Sequence, residues 1–130
     1  MNIKPLFLSL LISTFLISCT NPLEQKLIGE WRLEKIELSG SVSPEVNEEL
    51  ESMNGSVMKF MDEGILEVDL KTSNYQTHWT LNGSSLEIEK GTSFNIILIT
   101  EKELVLEAEM EFLNDGEMVK ETFTQRFSRL

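Results

Sequence analysis

Few residues of this chain are equipped for covalent or metal chemistry. It carries one cysteine, Cys19, and one histidine, His78. A disulfide needs two thiols, and a Cys/His zinc site needs three or four ligands, so neither can form within the chain. His78 falls in a run where Tyr75, Thr77, Trp79 and Leu81 alternate with Gln76, His78 and Thr80. Alternation at period two puts His78 on the wet side of a strand, which suits a surface imidazole rather than a base held in a cleft. No Gly-x-Ser-x-Gly turn is present to expose a serine nucleophile beside a base. Glu107, Glu109 and Glu111 share one strand face. An acid/base pair of carboxylates, however, needs one member shielded so that its pKa rises, and these three are spaced for a solvated face. No Gly-rich phosphate loop and no oxygen-ligand loop with calcium spacing occurs. The expectation is a non-enzyme with no catalytic residue, no metal and no cofactor.

The elements that must carry whatever function remains begin with an address. The chain has 130 residues, with 11 Lys+Arg against 22 Asp+Glu and a formal net charge of -11. That length suggests one domain, and that charge excludes a nucleic-acid partner, since phosphate binding needs clustered cations. A hydrophobic content of 41% is too high for a disordered acidic tail. Lys4 precedes an apolar run over residues 6–17 interrupted by Ser and Thr alone. A membrane span needs roughly 20 apolar residues; a charged start and a shorter run have the form of a secretory signal.

Leu16-Ile17-Ser18-Cys19 resembles the lipobox of bacterial lipoproteins at all four positions. The resemblance implies cleavage before Cys19 and acylation of its thiol with palmitate-type chains. One acyl chain holds a protein to a membrane marginally, and two or more hold it stably. The expected organisation is a lipoprotein signal peptide over 1–18, a lipidated tether over 19–26 and a β-barrel domain over 27–130. Thr20 is not the Asp of an inner-membrane retention signal, and no Lys-acidic export run follows Cys19. The implied location is the cell envelope, anchored by lipid to the outer membrane and facing the periplasm.

In the body of the chain, turn signals recur about every ten residues after residue 55, the spacing of an all-β barrel or sandwich. They include Asp62-Glu63-Gly64, Ser73-Asn74, Asn82-Gly83-Ser84, Lys90-Gly91-Thr92, Glu101-Lys102-Glu103 and Asn114-Asp115-Gly116. Between them apolar and polar residues alternate: Leu66, Val68 and Leu70 against Glu67, Asp69 and Lys71; Leu104, Leu106, Ala108, Met110 and Phe112 against Glu107, Glu109 and Glu111; Phe123 and Phe127 against Thr122, Thr124 and Arg126. One dry face and one wet face is the pattern of an antiparallel sheet. Eight strands are predicted, near 30–38, 56–61, 65–72, 75–81, 85–90, 93–100, 104–112 and 118–128. Residues directly opposite in an antiparallel pair share a face. That parity predicts a three-residue hairpin at 62–64 with a left-handed Gly, a two-residue turn at 73–74 and a three-residue turn at 101–103. Trp31 and Leu33 are out of phase with Ile36 and Leu38, which predicts a bulge in the first strand. In the long first connection, Ser43 is placed to cap a helix over 44–53, with Pro44 in its first turn and Glu45 favoured by the helix dipole. Closing eight hairpin-connected strands removes both sheet edges. An all-β, eight-stranded antiparallel up-and-down barrel with one short helix is therefore the expected fold, and a two-sheet sandwich is the alternative.

Residues 27–130 resemble the small lipocalin-like lipoproteins of Bacteroidota. The resemblance rests on Leu27-Ile28-Gly29-Glu30-Trp31, similar to the Gly-x-Trp motif of the first lipocalin strand, on the eight-strand meander and on the long first loop. It implies that Trp31, behind Gly29, packs across the closed end of the barrel under an Arg from the last strand. Arg126 and Arg129 are the candidates; alternation puts Arg126 on the wet face, which favours Arg129.

The interior is then either a filled core or a pocket for a small apolar ligand. Bulky side chains and a small domain favour filling, because little stability is to spare for a void. The predicted lining is Met58, Phe60, Leu66, Val68, Leu70, Tyr75, Trp79, Ile96, Leu98, Leu106, Met110 and Phe123. Of these, Phe60, Leu70, Tyr75, Trp79, Met110 and Phe123 are the candidate ligand contacts, Tyr75 and Trp79 through their polar ends. Ile97, Ile99 and Val105 are predicted to face outward, where apolar residues often mark contacts. Either a protein partner covers them, or the chain's own Leu23, Leu27 or Ile28 does. The leading expectation is a lipid-anchored lipocalin-like protein that binds a small hydrophobic ligand. The alternative is a non-enzymatic adaptor module with a filled core. Replacing the thiol tests the anchor directly: Cys19→Ala is expected to abolish metabolic incorporation of labelled palmitate, and continued incorporation would refute it.

Overall fold

The structure, a computed structural model, describes residues 22–40, 43–88 and 92–130. The signal-peptide and Cys19 readings lie outside the described residues. The order is α1 (Pro22–Leu27), β1 (Gly29–Leu38), α2 (Pro44–Ser52), β2 (Val57–Met61), a 3-10 turn (Asp62–Gly64), β3 (Ile65–Asp69), β4 (Asn74–Asn82), β5 (Ser85–Ile88), β6 (Thr92–Ile99), β7 (Glu103–Asn114) and β8 (Glu117–Arg129). Every strand pairs with its sequence neighbour, and β1 pairs with β8, which closes the barrel. This is the expected all-β, eight-stranded up-and-down architecture, the one lipocalins share. α2 is the expected helix: Ser43 accepts from the Val46 N–H at its start, and Pro44 occupies the first turn.

The residues expected to form a polar tether behave differently. Residues 22–27 form α1, because Leu23 and Leu27 lie one turn apart; Leu27 is wholly buried in the core. Burying a Leu contributes about 1.5–3 kcal/mol, which favours ordering a segment that also carries Glu24, Gln25 and Lys26.

Two bulges set which residues reach the interior. The register of β1 on β8 shifts between Leu33 and Lys35, so Trp31 and Leu33 share the interior with Ile36. That is the predicted bulge. A second shift, between Ile96 and Leu98, was not foreseen. It makes Ile97 the extra residue, turns Leu98 outward opposite Val105 and turns Ile99 inward opposite Leu104. The β6–β7 turn accordingly has two residues, Glu101 and Lys102, with the Thr100 N–H donating to the Glu103 carbonyl. Of the predicted outer patch, Ile97 is exposed, Ile99 packs against the core and Val105 is 6% exposed. The β3–β4 turn keeps two residues but sits elsewhere: Asp69 pairs with Asn74 and the Leu70 N–H donates to the Ser73 carbonyl at 2.9 Å, so the turn is Lys71-Thr72, and Lys71 takes φ 74°. Parity survives, because the turn moves by two residues and keeps its length of two, and the faces remain as read. At 62–64 the three-residue hairpin is present, with both Glu63 and Gly64 left-handed.

One end of the barrel is sealed by Trp31 and Arg129. The Arg129 guanidinium lies 4.1 Å from the Trp31 ring centroid, a cation–π stack. Its Nε donates to the Glu101 carbonyl at 2.9 Å, its Nη1 to Ile28 at 3.1 Å and its Nη2 to the Lys26 carbonyl. The Trp31 indole N–H donates to the Leu27 carbonyl at 2.9 Å. Arg129 is thus the arginine that covers Trp31; Arg126 sits outside, bonded to Glu37. Gly29 is required here: its φ is 138°, and a Cβ would fall 2.5 Å from Arg129 Nη1. Gly29→Ala is expected to lower unfolding stability by about 1–3 kcal/mol through backbone strain and displacement of the guanidinium. In urea denaturation the loss should shrink when Arg129 is already alanine; an undiminished loss would mean the clash plays no part.

Candidate ligand-binding site

The interior is filled at the sealed end and hollow at the other. Trp31, Phe60, Leu66, Trp79, Leu104 and Leu106 pack the sealed half, each at most 3% exposed. Phe60 and Trp79 meet edge to face, centroids 5.5 Å apart at 83°. Toward the mouth the inward positions become Ser56, Thr77, Thr92 and Gln125, side chains too small or too polar to complete a core. Strands there are also short, five residues in β2 and β3 and four in β5. The result is a cavity of about 720 Å³. Of the two interiors the sequence leaves open, a filled core and a pocket, this half of the barrel has the pocket.

Its walls are Leu33 from β1, Met58 from β2, Val68 and Leu70 at the end of β3, Tyr75, Gln76 and Thr77 from β4, Ile88 from β5, Thr92 and Phe94 from β6, and Gln125 and Phe127 from β8. Met53 and Ser56, after α2, complete the rim. That corner is pinned to the barrel: the Gly55 N–H donates to the Leu33 carbonyl at 2.7 Å, and the Leu33 N–H to Ser56 at 2.8 Å. The Ser56 hydroxyl donates to the Met53 carbonyl. Gly55, at φ 89°, leaves room for Lys71, whose Cε would lie 2.8 Å from a Cβ there. Among the described residues no charged side chain lines the cavity. Lys120, whose ammonium a 3.0 Å contact with Glu109 holds above its ordinary pKa, lies on the outer face of β7–β8. Among the described residues, no three His, Cys, Asp or Glu side chains cluster to hold a metal.

The candidate contacts are dispersed. Leu70 and Tyr75 line the cavity, Tyr75 half-exposed at its rim. Phe60 and Trp79 sit in the packed half, and the Trp79 N–H is already shared between the Met61 and Ile65 carbonyls at 3.1 and 2.9 Å. Phe123 is buried, while Met110 is 40% exposed on β7. His78 is exposed on the outer face, opposite Ile65. Sequence reasoning missed Leu33, Met53, Ile88, Phe94, Phe127 and Gln125 as walls. Gln125 was within reach, since it alternates with Phe123 and Phe127 and so shares their face.

No family model matches the chain, and no curated protein matches it. Among solved structures, bovine odorant-binding protein in complex with its natural ligand is similar at 18% identity and a TM-score of 0.49, covering 87% of this chain and 76% of that one. The same protein with undecanal gives 16% identity, a TM-score of 0.48 and the same coverage. The closed eight-strand ladder is a property of this chain's own hydrogen bonding.

Because its N–H is bound to backbone, Trp79 acts as a tie between the β2–β3 hairpin and β4. Trp79→Phe is expected to cost about 1–3 kcal/mol by leaving two carbonyls unpaired. Chemical denaturation should show the loss, while binding of an apolar dye to the folded protein stays unchanged. A dye affinity that falls with stability intact would instead put Trp79 in the site.

Proposed function

We propose that this protein holds a small, largely apolar molecule in the mouth of its barrel, anchored to the cell envelope by acylated Cys19. The observation that carries this reading is the cavity of about 720 Å³, walled by Met58, Val68, Leu70, Ile88, Phe94 and Phe127. Pockets of roughly 300–1,000 Å³ with apolar walls and a few placed polar groups are those that enclose small ligands. An eight-strand barrel is the smallest that can hold one.

The anchor and the cavity fit one orientation. Two residues separate Cys19 from α1, a reach of about 11 Å at most. α1 enters at the sealed end, where Leu27 is buried under the barrel. Lipid on Cys19 would therefore hold the sealed end toward the membrane and leave the mouth facing away. A ligand would enter from the aqueous side or from a partner, not by lateral passage from the bilayer beneath.

The adaptor reading keeps one supporting feature. Ile97 and Leu98 are adjacent on β6 and 55% and 41% exposed, which fits a small contact patch. Its premise of a filled core does not fit the cavity.

Fluorescence titration with N-phenyl-1-naphthylamine tests the binding reading. The full chain is expected to bind the probe with micromolar affinity. Thr92→Arg, an exposed position on the cavity wall, should weaken binding at least tenfold without altering the circular dichroism spectrum. Absence of probe binding, or binding indifferent to Thr92→Arg, would sink the cavity as a site.

A further inference from the structure

The wall of the cavity contains one group that its surroundings do not explain. Gln125 lies on the inner face of β8 between Phe123 and Phe127, which are 4% and 3% exposed. Directly opposite it stand Leu106 on β7 and Ile36 on β1. Its amide has no hydrogen-bond partner among the described residues, and it borders the cavity. Gln125 is half-buried, so water reaches its amide while the cavity is open; a ligand that displaces this water carries a desolvation cost unless it bonds to the amide. The other polar walls differ: Ser56 is bonded to the Met53 carbonyl, Thr77 has a partner of its own, and Tyr75, Gln76 and Thr92 are exposed at the rim. The core would pack with Leu or Met at 125, so the amide is a departure from the strand's own pattern, of the kind found at functional positions.

Resting on the cavity reading above, we propose that Gln125 is the polar anchor of the site and that its ligand is uncharged, an apolar body bearing one carbonyl, hydroxyl or amide. A primary amide offers two donors and an acceptor, so it can satisfy any of these. A carboxylate is disfavoured by the same geometry. Among the described residues no cation lines the cavity, the chain has a formal net charge of -11, and an ionised group taken from water needs a paired charge. Lys71, beside Gly55, stands outside the lining residues. Selectivity of this kind comes from the unpaired partner: a site built around a hydrogen bond rejects ligands that cannot make it.

The test displaces N-phenyl-1-naphthylamine from the full chain with 1-dodecanol and with dodecanoate. The wild-type chain is expected to take dodecanol at least about tenfold more tightly than dodecanoate. Gln125→Met, of similar volume and shape, should weaken dodecanol about three- to tenfold, the loss of one hydrogen bond, while probe affinity holds. Gln125→Leu should do the same, and circular dichroism confirms that each variant is folded. Equal affinity for the acid and the alcohol overturns the uncharged ligand; if Lys71→Gln then weakens the acid alone, the headgroup sits at the rim. Unchanged dodecanol affinity in a folded Gln125→Met chain overturns the anchor and leaves the cavity reading standing. A wild-type chain that binds no probe overturns both.

Discussion

The stack of Arg129 on Trp31 is the contact on which the rest of the molecule depends. It joins the two ends of the chain: Trp31 opens β1, Arg129 closes β8, and the two residues are paired across the seam where the sheet shuts. The same guanidinium bonds the carbonyls of Lys26 and Ile28 before β1 and of Glu101 in the β6–β7 turn. Up to five donors in a fixed planar fork let one side chain tie three segments at once, which a lysine could not do. With that end sealed, Leu27 is buried beneath it and the interior is dry from the bottom up.

A barrel sealed at one end need not be filled at the other. Closure fixes the circumference, so interior volume near the mouth is set by which side chains point in. At the sealed end they are Trp, Phe and Leu; near the mouth Ser56, Thr77, Thr92 and Gln125 interrupt the apolar walls. Stability is therefore concentrated in the lower half, and the upper half is free to stay open. The division explains why Phe60 and Trp79, two of the largest inward aromatics, are structural, whereas Leu70 and Tyr75 at the ends of shorter strands reach the cavity. The pinned corner at Gly55 and Ser56 holds one rim of the mouth in place by backbone bonds to Leu33, independent of what the cavity contains.

Parity explains where the sequence could be read and where it could not. Alternation, turn residues and loop parity were enough for eight strands, their order and the faces of most of them. A turn displaced by two residues, at 71–72 rather than 73–74, does no harm because period two is indifferent to an even error. An error of one is different. The bulge at Ile97 exchanged Leu98 for Ile99 and dissolved the outer patch expected of Ile97, Ile99 and Val105. The run Ile96-Ile97-Leu98-Ile99 is apolar at every position, so no alternation was there to show the slip. In β1, by contrast, charged Glu34 and Lys35 interrupt the apolar rhythm and made the bulge visible.

By itself, then, the amino-acid sequence determined the strand count, the helix capped by Ser43, the closure motif of Gly29 and Trp31, and the acidic, cation-poor character of the surface. These are local properties, written in period, cap and charge. The tertiary structure alone decided that Arg129 rather than Arg126 closes the end, that residues 22–27 are helical, and that the mouth is hollow. The first two depend on contacts between segments distant in sequence, and the third on volume summed around a ring of eight strands. No single strand carries the size of the space it encloses, because that space is set by the side chains its seven companions send to the same level.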